Sequence, residues 1–172
     1  DDGPMARVIV LTGVGSGVCD GAEVKGGVPD DVKGQRFVGD RGIDEVPDAS
    51  RQHFFYGFTK LHKDISFIRK PTIAMINGAA AGSGMDMALH CDIRLGCENT
   101  RFIGYQQVGQ IPDNGGSYYL PKIAVMGRAL DFLSTCRLDA QRASVWGVLT
   151  PLLALKYLAT TTLHPCTATT PN

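Results

Sequence analysis

The chain has 172 residues, 44% of them hydrophobic and 20% charged, enough for one domain with its own core. Seventeen basic and seventeen acidic side chains cancel, so nothing in the charge balance points to nucleic acid or an anionic membrane as a partner. The five cysteines (Cys19, Cys91, Cys97, Cys136, Cys166) form no CxxC pair, which argues for reduced thiols and a cytoplasmic location; no apolar run reaches the roughly 18 residues of a membrane span, and no signal peptide is expected.

Taken in order, residues 1–6 (DDGPMA) read as a frayed start. Arg7 to Thr12, RVIVLT, is a β-branched run and predicts a buried strand. Gly13 to Gly21 reads as a glycine-rich turn. Its Gly13, Gly15 and Gly17 give GxGxG, but Val18 stands where the third glycine of GxGxxG belongs, and no GKS or GKT follows. Neither a dinucleotide fingerprint nor a P-loop is therefore expected. From Gly26 to about Ala49 the chain is rich in Gly, Asp, Pro and Lys without periodicity, the pattern of a lid, a binding loop, a disordered stretch or a passive surface loop. Apolar positions at Phe54, Phe55, Phe58, Leu61, Ile65 and Ile68 predict an amphipathic helix over Ser50 to Ile68, with Ser50 as N-cap.

Lys70 to Ile93, KPTIAMINGAAAGSGMDMALHCDI, predicts a strand over Thr72 to Ile76, a small-residue turn over Ala79 to Gly82, and a helix from Ser83 to about His90. Asp92 to Leu95 and Thr100 to Ile103 read as short strands, and Tyr105 to Gly116 as a loop. Ser117 to Ile123 and Met126 to Ser134 look helical, broken near Pro121 and Gly127, and Asp139 to Trp146 is another amphipathic turn or two. Leu152 to Leu158 reads as a helix, and Thr160 to Asn172 as a disordered or poorly packed tail. Strand–helix alternation means an α/β architecture, with a core over 1–150 and an atypical tail over 151–172.

Two turns, around Gly21-Ala22 and Gly82-Ser83, each follow a strand and offer backbone N–H groups. Side by side, they would form an oxyanion hole; separately, they are simple strand-to-helix turns. Asp86, in the first turn of its helix, is either an acid/base or a complement to the helix dipole. Asp113 is either a second acid/base or a turn residue of Asp-Asn-Gly-Gly. His62 reads as a packing or helix-surface histidine. His90, Cys91 and Asp92 lack metal-ligand spacing, so no metal is expected. There is no GxSxG to carry a serine nucleophile.

Four segments together (Val8 to Lys25, Lys70 to Arg94, Phe102 to Pro121 and Met126 to Gly147) resemble the crotonase, or enoyl-CoA hydratase/isomerase, superfamily. The resemblance implies a spiral of ββα units, assembly as a homotrimer or hexamer, action on acyl-CoA thioesters, and no cofactor beyond the coenzyme A of the substrate. By position it implies oxyanion-hole N–H groups at Ala22 and Ser83. It also implies coenzyme A contacts from Ala22, Glu23, Val24, Lys25, Gly82 and Ser83, a catalytic acid at Asp86, and pocket positions at His62 and Tyr105.

The sequence also departs from that pattern. The hydratases' second glutamate would fall near Tyr105 or Gln106, and the stretch from Phe102 to Gly109 is one residue short. Asp113 instead resembles the aspartate of the dienoyl-CoA isomerase and chlorobenzoyl-CoA dehalogenase branches. The loop after Lys25 resembles the extended one of the dihydroxynaphthoyl-CoA synthase branch. The chain starts near the family's third strand, and its likeness ends after Val148, so the fold is expected without the usual N-terminal strands and C-terminal helices. The reading is an enzyme that holds a thioester enolate while Asp86 and Asp113 move protons. Its rivals are a non-catalytic acyl-CoA-binding or assembly fragment, and an aromatic acyl-CoA hydrolase or dehalogenase with Asp113 as nucleophile.

Overall fold

The computed structural model describes residues 6–21, 58–105, 111–150 and 152–154. Outside them lie the long loop after Gly26, the first part of the helix expected from Ser50, the segment Ala22 to Lys25, Gln106, and the tail from residue 155.

The chain alternates between two sheets. Strand β1 (Ile9–Thr12) lies in the first and β2 (Gly17–Cys19) in the second; helix α1 (Phe58–Ser66) follows. Next come β3 (Thr72–Ile76) in the first sheet, β4 (Ala79–Ala81) in the second, and α2 (Ser83–His90). Then β5 (Ile93–Cys97) and β6 (Arg101–Ile103) repeat the step, ahead of α3 (Gly116–Ala124) and α4 (Met126–Thr135). Strand β7 (Arg137–Asp139), α5 (Ala140–Val145) and β8 (Leu152–Leu153) close the described chain. The strand orders are β1-β3-β5-β8 and β2-β4-β6-β7, so each ββα unit adds one strand to each sheet. That is the α/β spiral of ββα units the sequence resemblance implies. All pairings are parallel except β6 with β7.

Side-chain alternation decides what each strand buries. On β3, Thr72, Ala74 and Ile76 face the main core, while Ile73 and Met75 pack on the other face with Leu95, Cys97 and Leu153. The main core gathers Ile76, Ala80, Met85, Leu89, Phe102 and Phe132 between the sheets and the helices. Asn77 ties the first two units together: its Nδ2 donates to the carbonyls of Gly13 (3.1 Å) and Gly15 (2.8 Å). Among the described residues no helix is long and apolar enough to cross a membrane.

Four local readings are corrected. The turns expected over Gly13 to Gly21 and Ala79 to Gly82 each contain a three-residue strand, β2 and β4. Glycine and alanine carry no strand propensity, so only sheet pairing makes these segments extended. Pro121 sits inside α3 without breaking it; Ser117, whose carbonyl loses a donor there, is exposed to water. The break falls instead at Val125, with φ 64°. Leu152–Leu153 pair with Gly96 and Cys97 as strand rather than opening a helix, because the β5 edge is available to them.

Candidate active site

The site begins where β4 meets α2. Gly82 adopts φ 49° and ψ −119°, a positive φ that side chains rarely tolerate. Its N–H donates to Ile103 O at 2.9 Å, which ties the turn to β6. Intrahelical bonding starts with Asp86 N–H donating to Gly82 O at 3.1 Å. The N–H groups of Ser83, Gly84 and Met85 thus have no intrahelical acceptor, and no side chain caps them. This is the positive end of the helix, directed at the space beyond β4.

The other expected turn ends beside it. β2 pairs with β4, Cys19 opposite Ala80, and Gly21 (φ 95°) lies against the Ala81 carbonyl, 3.3 Å from where its Cβ would be. The strands that lead directly into the two turns are β2 and β4; the two apolar strands that the sequence suggested, β1 and β3, are neighbours as well. Ala22, one residue on, and Glu23, Val24 and Lys25 lie outside the described residues.

Asp86 is 0% exposed. Its Oδ2 accepts a hydrogen bond from the Tyr105 hydroxyl at 3.0 Å, while Oδ1 has no partner among the described residues. Burial pushes its pKa from 3.8 to about 6; the Tyr105 bond and the charge of His62 pull it back, and Asp113 pushes it further up. The Gly116 N–H nearby lowers it a little without completing a hydrogen bond to Oδ1. A Cβ on Gly116 would lie 2.3 Å from Oδ1, so only glycine leaves that oxygen its room. Tyr105 is one of the two positions, with Gln106, that the sequence resemblance matches to the hydratases' second glutamate. Burial, and then the Asp86 charge, push its hydroxyl well above its ordinary pKa, so it remains a donor.

Asp113 is exposed, in the turn before α3. It shares the site by charge rather than by burial, raising the pKa of both Asp86 and Tyr105. Asn114 links Asp113 to Tyr105: its Nδ2 lies 3.1 Å from Asp113 Oδ1 and 3.5 Å from the Tyr105 hydroxyl. His62 is buried, and its Nε2 is 3.1 Å from both the carbonyl and the hydroxyl of Ser83. His90 donates from Nδ1 to the Asp86 carbonyl at 2.7 Å, and burial holds its pKa below the usual value. Of the expected site residues, Gly82, Ser83, Asp86, Tyr105 and His62 thus converge on the start of α2, with Asp113 at the rim.

Among the described residues, the arrangement offers an N–H donor without intrahelical acceptor or side-chain cap and a buried carboxylate with one unpartnered oxygen, three residues apart on one helix end. The enoyl-CoA hydratase/isomerase family model matches residues 1–170, running past Val148, where the sequence likeness was expected to stop. The chain belongs to the enoyl-CoA hydratase/isomerase family. It is 31% identical over 162 residues to 1,2-epoxyphenylacetyl-CoA isomerase of Escherichia coli, covering 90% of this chain and 55% of that protein. It is 34% identical over 126 residues to 4-chlorobenzoyl coenzyme A dehalogenase-1 of an Arthrobacter species, covering 67% of this chain and 45% of that protein. The crystal structure of enoyl-CoA hydratase from Bacillus anthracis superposes with TM-score 0.77 at 25% identity, over 94% of this chain and 58% of that one. The chain therefore spans about half the length of the curated relatives it matches.

Sequence reasoning on this family member missed Asn114 and Gly116 as site residues and set His90 aside. The i,i+4 spacing of Asp86 and His90 was the available signal for the last. No local pattern announces Asn114 or Gly116, which reach the site only through the fold.

Proposed function

We propose that the protein acts on acyl-CoA thioesters, shifting a proton along an enoyl- or dienoyl-CoA chain through a bound enolate. The observation that carries this reading is the buried Asp86 carboxylate, its Oδ1 unpartnered among the described residues, on the same helix end as the Ser83 N–H, which has no intrahelical acceptor and no side-chain cap. The thioester oxygen accepts from Ser83 N–H, and from Ala22 N–H as the second donor of the hole. Asp86 Oδ1 takes a proton from a carbon conjugated to the carbonyl, and the electron pair moves onto the thioester oxygen. Tyr105 holds Oδ2 and so orients Oδ1 toward the substrate. Asp113, which exchanges protons with solvent, delivers a proton at another carbon, the enolate collapses to the shifted double bond, and Asp86 then loses its proton to solvent. A pKa near 6 suits a base that is mostly ionised at neutral pH yet still accepts a proton.

The test is turnover of 3-enoyl- and dienoyl-CoA esters, followed by absorbance of the conjugated product. Asp86→Asn and Asp113→Asn should each lower kcat/KM by roughly 10²–10⁴-fold. Full activity in both would sink the assignment, and calorimetric binding without any turnover would favour a non-catalytic acyl-CoA-binding role. A second reading, attack by Asp113 on an aromatic acyl group, draws support from its exposed position and from the dehalogenase relative. A covalent acyl-aspartate at Asp113, seen by mass spectrometry, would establish that route. Assembly as a trimer or hexamer belongs to the same proposal, and light scattering of the full chain decides it.

A further inference from the structure

His62 lies on α1, outside both turns that form the site, and the proton-transfer steps above do not use it. It is 1% exposed, and a buried imidazole needs hydrogen-bond partners. Its Nε2 faces the Ser83 carbonyl and hydroxyl, both at 3.1 Å. A carbonyl can only accept, so Nε2 carries the proton and donates. Ser83 is the residue whose own N–H would hold the thioester oxygen. The residue preceding that N–H is held too: Gly82 N–H donates to Ile103 O at 2.9 Å, and the Tyr105 ring lies against Gly82, 2.9 Å from where a Cβ would stand. Gly82 has the positive φ of a residue with wide conformational freedom, so this peptide needs restraint from outside.

We propose that His62 is a positioning residue that anchors Ser83 through Nε2 and thereby aims the Ser83 N–H at the thioester oxygen. The inference rests on the proposed oxyanion role of Ser83. His62 also sits beside the catalytic carboxylate by charge and beside His90, with ring centroids 5.4 Å apart, so its imidazole spans α1 and the working end of α2. Misaiming a preorganised donor weakens it at the moment charge develops while leaving ground-state binding nearly intact.

The experiment compares His62→Leu, which keeps volume and loses the donor, with His62→Gln, which keeps an N–H donor. Two readouts are taken on the full chain with crotonyl-CoA as the bound probe and a 3-enoyl-CoA as substrate. They are the infrared shift of the thioester carbonyl on binding, and kcat separately from KM. His62→Leu should lose most of the carbonyl shift and about 10-fold or more in kcat, with KM changed less than about 3-fold, below the roughly 10²–10³-fold of deleting a donor outright. His62→Gln should recover most of both. In a double-mutant cycle, Ser83→Ala added to His62→Leu should cost less than the sum of the two single changes. A wild-type carbonyl shift retained in His62→Leu overturns the inference while leaving the oxyanion site standing. Equal losses in both variants, accompanied only by a lower Tm, assign His62 to packing and overturn it as well. No carbonyl shift in the wild-type chain removes the oxyanion reading itself, and this inference falls with it.

Discussion

Two aspartates six positions apart show how differently one residue type is used here. Asp92, at the start of β5, is exposed and well supplied with donors: Thr72 N–H (2.8 Å) and Thr72 Oγ1 (2.7 Å) both bond its Oδ2, and its own N–H returns a bond to Thr72 Oγ1 at 2.9 Å. Those bonds hold its pKa below the usual carboxylate value, and they fasten the start of β3 to the start of β5. Asp86 is fully buried and, among the described residues, has one side-chain donor and an oxygen with no partner. Burial raises its pKa to about 6. A satisfied carboxylate is a staple. A buried carboxylate left short of donors is kept for something else to bind, and the fold bears the expense.

The sharpest way to break that contrast is turnover. Asp86→Asn should abolish most activity, whereas Asp92→Ala, which touches nothing at the start of α2, should leave kcat/KM within about 2-fold. Next in size is Gly116→Ala. Its methyl would stand 2.3 Å from Asp86 Oδ1 and 2.8 Å from Pro112 Cβ, displacing the carboxylate, and a misplacement near 1 Å costs on the order of 10²-fold. Assays at saturating substrate would show it as a loss of kcat; a variant with unchanged kcat would mean that Oδ1 is not the reacting oxygen.

Smaller, and opposite in sign for the two aspartates, are the effects on stability. The folded-state pKa of Asp86 lies above its unfolded value of 3.8, so its contribution is fully present below that pH and is lost as pH rises through about 6. Above pH 7 the ionised carboxylate opposes folding by up to about 3 kcal/mol, from about 1.4 kcal/mol per pKa unit. Asp86→Asn should therefore raise Tm by several degrees at pH 8, with the gain vanishing near pH 4. Asp92 has the lowered pKa: its contribution is present above the ordinary carboxylate range and lost as pH falls through it. Asp92→Ala should lower stability by roughly 1–2 kcal/mol at neutral pH through its lost hydrogen bonds. Melting curves from pH 4 to 8 check both, and parallel behaviour of the two variants would dissolve the contrast.

The sequence made some of this legible for physical reasons. Strands β1 and β3 are β-branched and apolar, and α2 opens on small residues with a carboxylate in its first turn, so Ser83 and Asp86 stood out as a unit. Strands β2, β4 and β7 did not, because Gly-Val-Cys, Ala-Ala-Ala and Arg-Leu-Asp carry little strand signal and are extended only by their neighbours. The two-sheet alternation followed from the family resemblance rather than from any local pattern. Tyr105 could be named as a pocket position, but its bond to a side chain 19 residues away is a product of folding. The pairing of His62 with Ser83, 21 residues apart, is hidden in the same way. Asp113 was legible as a turn aspartate, but its place at the rim rather than in the buried site was not.

The central claim is that Asp86 is the base and that Tyr105 tunes it. It is tested most directly by the pH dependence of kcat/KM for wild type and Tyr105→Phe. Wild-type activity should rise with pH through about 6 as Asp86 ionises. Removing the hydroxyl takes away the bond that lowers the Asp86 pKa, so the midpoint should move up by roughly one unit. A wild-type profile flat between pH 5 and 8, or a midpoint unmoved in Tyr105→Phe, would contradict the account.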